Sequence, residues 1–333
     1  MITSANGRTA LVFGISGQDG AYLAQYLLRK GYRVVGSSRS ANARNLVALG
    51  IQDQAELIPI DVSDAPAVAR AIRDIAPQEI YNLAGQSSVG LSFEHPVETM
   101  ASTSGGALNI LEAIRQIDPT IRLFSAGSSE CFGDTHGVAA DEETPFRPNS
   151  PYAIGKAAAF WHVASYRQAY GLFACTGILF NHESPLRPER FVTQKIVRTA
   201  CRIAAGSGEK LELGNIDISR DWGWAQEYVE AIWLMLQQRQ AGDLVIATGE
   251  THPLAYFVDE VFKAVGLDWQ AHVECNPTLM RPTDMRTSVA NPARAQRLIG
   301  WKAQTSLADV ATRMVQAEQK RVAGNPEFTE QEN

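Results

Sequence analysis

A glycine-rich turn between a short apolar strand and a helix constrains the fold of this chain more than any other feature. Thr9 to Phe13 is an apolar run, and after the turn Ala21 to Lys30 shows the apolar spacing of a helix. Glycines in such a turn let the backbone approach a pyrophosphate, and the helix N-terminus supplies positive potential. The alternative is a tight turn that only requires positive φ. The turn predicts a dinucleotide site that comprises Gly14, Ser16, Gly17, Gln18, Asp19 and Gly20.

Strands and helices alternate after this turn. Helices are predicted at 65–76, 103–117 and 150–170, and unbroken apolar strands at 33–36, 57–60, 80–84, 123–126 and 174–180. Such strands are typical of a parallel sheet covered by helices on both faces. We predict an α/β fold, with a doubly wound parallel sheet of the Rossmann type and a smaller C-terminal α/β substrate lobe. The expected segments are a Rossmann domain at 1–180 that a strand near 243–248 rejoins, a lobe at 181–323 and a tail at 324–333.

Charge and cysteine usage exclude several classes of function. Thirty Lys and Arg residues against 36 Asp and Glu residues give a net charge of −6, so no overall positive field attracts nucleic acid or anionic lipid. No apolar run approaches the ~20 residues of a membrane span. The four cysteines lie far apart, which predicts neither a metal site nor a disulfide framework. We expect a cytoplasmic protein without nucleic-acid or membrane partners.

The residues after the second strand favour one type of nicotinamide cofactor. An acidic residue there reads the ribose 2′-hydroxyl of NAD, but this chain has Gly36-Ser-Ser-Arg39-Ser40, with Arg44 close by. Arg39 therefore predicts NADP, with NAD possible; the alternative is that Arg39 is a solvated surface charge. The predicted cofactor set also includes, at the ends of the third and fourth strands, Asp61, Val62, Leu83 and Ala84.

Two pairs of residues carry the chemistry that the sequence predicts. Tyr152 and Lys156 are four residues apart on a predicted helix, so the ammonium is expected to lower the phenol pKa from about 10 toward neutrality. The alternative is an exposed pair without a role. Ser128 and Glu130 follow the fifth strand, at the edge where parallel sheets bind ligands. They offer a hydroxyl and a carboxylate for catalysis. The alternative is that Ser128 is only an N-cap and Glu130 only a surface acid.

The glycine turn, Tyr152-x-x-x-Lys156 and the serine after strand five together resemble the extended short-chain dehydrogenase/reductase family. Within it, the segments Glu79–Leu83, Gly177–Pro185 and Arg220–Gly223 resemble the GDP-mannose 4,6-dehydratase family. The resemblance implies conversion of GDP-mannose to GDP-4-keto-6-deoxymannose, with a hydride stored on bound NADP. It implies that Tyr152 exchanges the 4-hydroxyl proton, Ser128 assists it, Glu130 removes the C5 proton, and Lys156 also holds the nicotinamide ribose.

The resemblance also implies a substrate site and self-association. The substrate residues would be Ser87, Asn181, Glu183, Val192, Lys195, Arg220, Arg281 and Asp284. The alternatives are an ion pair with Asp221 for Arg220, and a surface charge for Arg281. A homo-oligomer, dimer or tetramer, would form through the helices at 103–117 and 150–170. Rival functions are dehydration of GDP-manno-heptose or another nucleotide sugar, a nucleotide-sugar epimerase or reductase, and a silent NADP-binding scaffold.

Overall fold

A parallel sheet forms the centre of the molecule; the computed structural model describes residues 7–39, 43–280 and 283–324. The strands of these residues are β1 (Thr9–Phe13), β2 (Arg33–Ser38), β3 (Glu56–Pro59), β4 (Glu79–Asn82), β5 (Arg122–Ala126), β6 (Ala174–Leu179), β7 (Asn181–Glu183), β8 (Leu211–Leu213), β9 (Ser219–Trp224), β10 (Leu244–Ile246), β11 (Thr251–Pro253) and β12 (Val273–Cys275). The main sheet has seven strands in the order β3-β2-β1-β4-β5-β6-β10, and all neighbours are parallel. The doubly wound sheet that the sequence predicts is confirmed.

Helices cover both faces of this sheet, as its buried strands require. They are α1 (Gln18–Arg29), α2 (Arg44–Ala48), α3 (Ala65–Ile75), α4 (Val89–Glu94), α5 (Pro96–Met100), α6 (Gly106–Ile117), α7 (Pro151–Tyr170), α8 (Val192–Ala204), α9 (Ala225–Leu236), α10 (Leu254–Ala264), α11 (Ala293–Ile299) and α12 (Leu307–Val322). The cores on the two faces are separate: α1 and α9 pack on one, and α3, α6 and α7 on the other. The helix predicted at 103–117 differs at its start, where Ala101–Gly105 is a π-helical stretch.

The sequence sets both ends of α7, the helix that carries Tyr152 and Lys156. The Ser150 hydroxyl caps its first turn by accepting a hydrogen bond from the Ala153 N–H (3.1 Å). Pro151 occupies the first helical position, where a missing N–H has no cost. Gly171 ends the helix with φ +68°, which is the left-handed conformation that glycine adopts readily. The two candidate catalytic residues therefore lie in the first turns of a well-defined helix.

A second group of elements packs beside the sheet with a core of its own. The strands β11-β9-β7 form a three-stranded sheet, and β12 pairs with β8. Three helices, α8, α10 and α12, bury apolar side chains against these strands. Only Phe180 separates β6 of the main sheet from β7 of the second one. The chain later returns, because β10 pairs with β6 in the register Leu244 to Gly177.

Two further findings concern the described residues alone. Across 7–39, 43–280 and 283–324, no helix combines the length and the apolar character that a membrane crossing requires. The same residues contain no group of three or more His, Cys, Asp or Glu side chains that could hold a metal ion.

Candidate active site

The predicted phosphate turn lies at the carboxyl edge of the sheet, between β1 and α1. Gly14 has φ +84°, and a Cβ there would lie 2.8 Å from the Ala84 nitrogen. A Cβ on Gly20 would lie 2.2 Å from the Gly14 carbonyl oxygen. Gly17 is the N-cap of α1, so no capping side chain occupies the first N–H groups of that helix. The turn thus leaves a cradle of backbone donors that fits a diphosphate.

A groove of about 310 Å³ extends from this turn along the carboxyl ends of β1, β2 and β4. Every predicted cofactor residue other than Tyr152 and Lys156 lines it, namely Gly14, Ser16, Gly17, Gln18, Asp19, Gly20, Arg39, Asp61, Val62, Leu83 and Ala84. Ser87, predicted to lie near the sugar, lines it as well. The sequence alone missed the opposite wall, which consists of Arg187, Pro188, Arg190 and Phe191.

This opposite wall carries two neighbouring positive charges. The Arg187 guanidinium lies 4.0 Å from the centre of the Phe191 ring, and its Nε is 3.3 Å from Glu183 Oε2. Burial, and next the charge of Arg187, lower the pKa of Arg190. Two neighbouring guanidinium groups on one wall repel each other, and an anion bound beside them would relieve this repulsion. Their position opposite the phosphate turn supports the same ligand chemistry as the turn itself.

The far end of the groove is built by the residues that follow β2 and β3. The hydroxyls of Ser16 and Ser38 lie 2.8 Å apart, and Arg39 pairs with Glu98 at 3.0 Å, with both side chains about 60% exposed. Burial raises the pKa of Asp61, but hydrogen bonds from Ser63 and the charge of Arg39 bring it below its usual value. Hydroxyls and a guanidinium could hold a ribose or its phosphate here. Ser40 lies outside the described residues, and Arg44 is the first residue of α2.

Ser128 and Glu130 occupy the turn that follows β5. The Ser128 hydroxyl accepts a hydrogen bond from the Glu130 N–H (3.2 Å) and so caps the short 3₁₀ helix Ser129–Phe132. Ser128 is buried, whereas Glu130 is partly exposed. Ser128 also hydrogen-bonds to the phenol of Tyr152. The serine thus serves as an N-cap and at the same time contacts the candidate base.

Tyr152 and Lys156 lie on one buried face of α7, beside the Ser128 turn. Lys156 Nζ donates to the Ala126 carbonyl (2.8 Å) and lies 5.9 Å from the centre of the Tyr152 ring. Burial lowers the pKa of Lys156 to about 8. Burial also raises the pKa of Tyr152 above 10, although the Ser128 hydrogen bond opposes this. The expected lowering of the phenol pKa toward neutrality is therefore wrong for the protein by itself, because loss of hydration outweighs the neighbouring charge.

The predicted nucleotide residues lie on the second group of elements. Arg220 on β9 is buried, and its guanidinium lies 3.3 Å from Asp284 Oδ1. Asp221, the partner that the alternative interpretation expects, instead accepts the N–H groups of Thr248 and Gly249. Arg220 and Asp284 are thus brought together, as a shared nucleotide site requires.

The remaining substrate candidates surround the region between the two sheets. Asn181 pairs with Trp222 in the β7–β9 register, and Val192 begins α8. Lys195 donates to the Glu212 carbonyl (2.7 Å) and lines a second cleft of about 400 Å³, to which Arg190 also contributes. Arg281 lies outside the described residues.

Glu183, a predicted substrate residue, is buried among protein groups. Its carboxylate is 1% exposed, accepts the Thr193 hydroxyl at 2.6 Å and pairs with Arg187. These protein contacts leave it no open face toward a ligand. The structure therefore places Glu183 behind Arg187, which itself lines the groove.

Comparison with known proteins identifies the family to which these features belong. Residues 11–314 match the family model for GDP-mannose 4,6 dehydratase. GDP-mannose 4,6 dehydratase 1 of Arabidopsis thaliana is 46% identical over 92% of this chain and 89% of its own length. The GDP-mannose 4,6-dehydratase of Sinorhizobium fredii is 40% identical over 95% of this chain and 98% of its own. The chain belongs to the GDP-mannose 4,6-dehydratase family.

Solved structures show the same fold. A Thermus thermophilus UDP-glucose 4-epimerase in complex with NAD has a TM-score of 0.82 and 27% identity, over 93% of this chain and 99% of that one. The dTDP-glucose 4,6-dehydratase DesIV of Streptomyces venezuelae, solved with NAD, has a TM-score of 0.84 and 22% identity, over 96% and 99%. A Pseudomonas aeruginosa protein, RMD, was solved with NADPH and has a TM-score of 0.77 and 22% identity, over 94% and 99%. A nicotinamide dinucleotide is thus the cofactor class that these neighbours bind.

The most specific segment of the family resemblance, Asn181-His-Glu-Ser-Pro185, has a clear place in this dehydratase-family fold. It begins with β7 and leads into the arginine wall of the groove. Its residues contact the phosphate turn, since the Ser184 hydroxyl donates to Gln18 Oε1 (2.8 Å) and Gln18 Nε2 donates to the His182 carbonyl (3.2 Å). These two hydrogen bonds therefore hold the phosphate turn against β7, the strand that bears Asn181.

Proposed function

We propose that this protein converts GDP-mannose to GDP-4-keto-6-deoxymannose by internal hydride transfer through a bound nicotinamide dinucleotide. The observation that carries the proposal is the convergence of Ser128, Glu130 and Tyr152 at the carboxyl edge of the sheet. The Glu130 N–H donates to the Ser128 hydroxyl (3.2 Å), and the Ser128 hydrogen bond and the charge of Glu130 both act on the pKa of Tyr152. A hydroxyl, a carboxylate and a phenol are the groups that oxidation followed by elimination requires.

Tyr152, Ser128 and Lys156 serve the first step. Tyr152 accepts the proton of the sugar 4-hydroxyl while the C4 hydride leaves, and Ser128 holds the 4-oxygen. A nicotinamide dinucleotide held by the phosphate turn and Lys156 would supply the hydride acceptor for oxidation at C4 and the hydride donor for the later reduction at C6. Because burial opposes ionisation of the phenol, the Ser128 hydrogen bond and the Lys156 ammonium must both favour the phenolate. Lys156 has its ammonium at the Ala126 carbonyl, where it can also hold the nicotinamide ribose.

Glu130 serves the second step, which a simple reductase or epimerase lacks. The ketone at C4 makes the C5 hydrogen acidic, and Glu130 removes it as a proton. The C6 hydroxyl leaves with a proton as water, and the hydride returns to C6 while C5 regains a proton. The sum is loss of one water with no net oxidation. Glu130 is partly exposed, which suits contact with a substrate.

The nucleotide part of the substrate would occupy the region of the second sheet. Arg220 and Lys195 offer positive donors for a diphosphate, and Asp284 offers acceptors for a ribose. Segment 283–288 also touches the start of α7, since the Thr283 hydroxyl donates to the Asn149 carbonyl (3.2 Å). The nucleotide residues are therefore adjacent to the helix that carries Tyr152.

The first experiment measures dehydration directly. The purified protein is incubated with GDP-mannose, with and without added NADP, and mass spectrometry follows loss of one water. Glu130→Gln is compared with Glu94→Gln, an exposed carboxylate outside the site. We expect Glu130→Gln to lose about 10²- to 10⁴-fold in rate and Glu94→Gln to keep the parent rate.

The outcomes separate the rival functions. A Glu130→Gln variant as fast as the parent would show that another group is the base. Dehydration of GDP-manno-heptose but not of GDP-mannose would move the substrate assignment to a heptose. An isomer or a reduced sugar without loss of water would indicate an epimerase or reductase. NADP binding without turnover of any nucleotide sugar would support the scaffold.

For the cofactor we propose NADP in preference to NAD. Arg39, Ser16 and Ser38 support this at the far end of the groove, where Arg39 can pair with a 2′-phosphate. Isothermal titration with each cofactor tests it, with Arg39→Gln as the variant. We expect Arg39→Gln to weaken NADP about tenfold and to leave NAD within twofold. Equal loss for both cofactors would contradict a role at the 2′-phosphate.

We also propose that the protein self-associates through α7 and its neighbours. Large apolar side chains are exposed along α7 at Ile154, Trp161 and Tyr170, and Val97 on α5 is 81% exposed. Exposed apolar side chains on adjacent helices are typical of an interface between subunits. Light scattering of the parent protein should give a mass above the ~36 kDa of one chain. The Trp161→Glu variant should give a mass closer to that of one chain. A parent protein that scatters as a single chain would reject the proposal.

A further inference from the structure

A buried histidine contacts the phosphate turn, and none of the steps above uses it. His182 on β7 is 7% exposed, and its Nε2 lies 2.9 Å from Asp19 Oδ2 in the first turn of α1. Its Nδ1 lies 2.7 Å from the Phe180 carbonyl oxygen. The ring stacks on Tyr228 of α9, with the centres 4.5 Å apart.

These contacts determine the protonation of the ring. A carbonyl oxygen can only accept, so Nδ1 carries a hydrogen. Despite burial, which raises it, the pKa of Asp19 is brought to about 2 by the charge and hydrogen bond of His182. Asp19 is therefore an ionised acceptor, and Nε2 must carry a hydrogen too. A ring that donates from both nitrogens is an imidazolium.

The surrounding charges agree with a cation at this position. Asp19 faces the ring from α1, Arg187 acts on it from the segment after β7, and the Tyr228 phenol lies against it from α9. Burial lowers the pKa of His182 and Arg187 opposes the cation, but the contacts with Asp19 outweigh both and raise it. The partly exposed carboxylate of Asp19 is thus matched by one buried imidazolium.

The pairing of Asp19 with His182 matters because of where Asp19 lies. Asp19 lines the groove within the turn that would receive the cofactor diphosphate. An unpaired carboxylate there would repel the phosphates. Paired with His182 it has no net charge, and Gln18 and Ser184 hold the same two segments together.

We propose that His182 is a positioning residue, an imidazolium that neutralises Asp19 beside the cofactor diphosphate and fixes the phosphate turn against β7. The proposal rests on the proposed function only in taking a nicotinamide dinucleotide as the ligand of the groove. It also explains how the two halves of the site stay aligned. β7 pairs with β9, which carries Arg220, so the same strand meets the cofactor turn at His182 and the nucleotide residues at Asn181.

The test measures NADP affinity by isothermal titration, without sugar substrate. The variants are His182→Gln, Asp19→Asn and the double variant, and His162→Gln on α7 is the matched control. We expect His182→Gln to weaken NADP at least about tenfold, because Asp19 loses its counter-charge. The double variant should bind NADP at least about threefold more tightly than His182→Gln, since it removes the stranded carboxylate as well. His162→Gln should bind as the parent does.

Recovery of NADP affinity when Asp19→Asn is added to His182→Gln distinguishes the proposal from a merely structural role of His182. If the role were only structural, the second substitution would weaken NADP binding further. A double variant as weak as His182→Gln, or a folded His182→Gln as tight as the parent, would overturn the proposal.

Nitrogen NMR of the parent protein decides the matter if His182→Gln fails to fold. Both ring nitrogens of His182 should give imidazolium shifts at pH 7, and a neutral ring would overturn the proposal. Failure of GDP-mannose turnover would contradict the proposed function but would leave these binding and NMR results standing. A parent that binds no NADP would overturn the proposed cofactor, and the NMR result would still decide the pairing.

Discussion

At the scale of single residues, burial and catalysis make opposite demands on α7. Lys156 is 9% exposed, and its pKa is lowered to about 8 because burial disfavours the ammonium. Tyr152 is equally enclosed, and burial raises its pKa. The protein therefore holds a cation and an ionisable phenol where water would stabilise both better. Such residues are retained for what they do to a ligand.

Lys156→Met should stabilise the protein while abolishing its activity. Below pH 8 Lys156 is charged in both the folded and unfolded states, and its burial cost is fully present. We expect the variant to raise the free energy of unfolding at pH 7 by about 1 to 3 kcal/mol in urea titrations. In the parent, this cost is lost as pH rises from about 8 toward 10.5, where the unfolded chain binds more protons. A variant less stable than the parent at pH 7 would show that the hydrogen bond to Ala126 outweighs desolvation.

Glu98→Gln should tighten NADP binding without affecting NAD. Glu98 pairs with Arg39 at 3.0 Å and competes with a 2′-phosphate for the same guanidinium. Since the pair is exposed, we expect a gain of about two- to fivefold in NADP affinity. Titration of both cofactors measures it, and Glu94→Gln serves again as the control. An equal change for NAD would indicate a general effect of charge on the groove.

At the scale of elements, the ends of parallel strands explain which site residues could be predicted. Leu83 directly follows β4 and Asp61 lies two residues beyond β3, and the carboxyl ends of parallel strands meet at one edge. They therefore line the groove with the glycine turn, as the sequence predicts. Arg187 and Arg190 also line it, but they reach it from beyond β7, so no local pattern announces them. The density of proline and arginine in 184–190 was the available signal.

A substitution that adds one methyl group can test the geometry of the glycine turn. A Cβ at Gly20 would lie 2.2 Å from the Gly14 carbonyl, so Gly20→Ala must open the turn. We expect at least a tenfold loss of NADP affinity and a destabilisation of about 1 to 3 kcal/mol. Gly242→Ala, where a Cβ meets nothing within 4 Å, is the matched control and should bind as the parent does. Calorimetric titration and urea unfolding measure the two effects.

At the scale of the whole molecule, contacts between distant segments account for what the sequence did not reveal. His182 meets Asp19 across 163 positions, and Glu98 of α5 meets Arg39, which follows β2. The sequence predicts that Asp19 lies in the phosphate turn and Arg39 at a strand end, but it does not predict which residues they meet. Tyr152 shows the same limit for energetics, since its spacing from Lys156 says nothing of how deeply α7 is buried.

The two halves of the chain share one core, and a fragment should reveal it. Tyr228, Ile232 and Met235 of α9 pack on the same sheet face as α1, together with Leu244 and Ile246 of β10. Residues 1–180 alone would expose this face to water. We expect that fragment to lack a cooperative thermal transition by circular dichroism and to bind a hydrophobic dye. A sharp transition would mean that the first half needs none of these contacts.

The return of β10 to the edge of the main sheet also limits how such a protein can be recombined. A second half borrowed from a relative brings α9 and β10 with it, and both must match a sheet that they did not fold against. An exchange of substrate preference by gene fusion therefore needs several junctions, so that Ala225–Leu236 and Leu244–Ile246 stay with their own sheet. The part of the chain after β6 therefore cannot be exchanged as one unit without changing the packing on the main sheet.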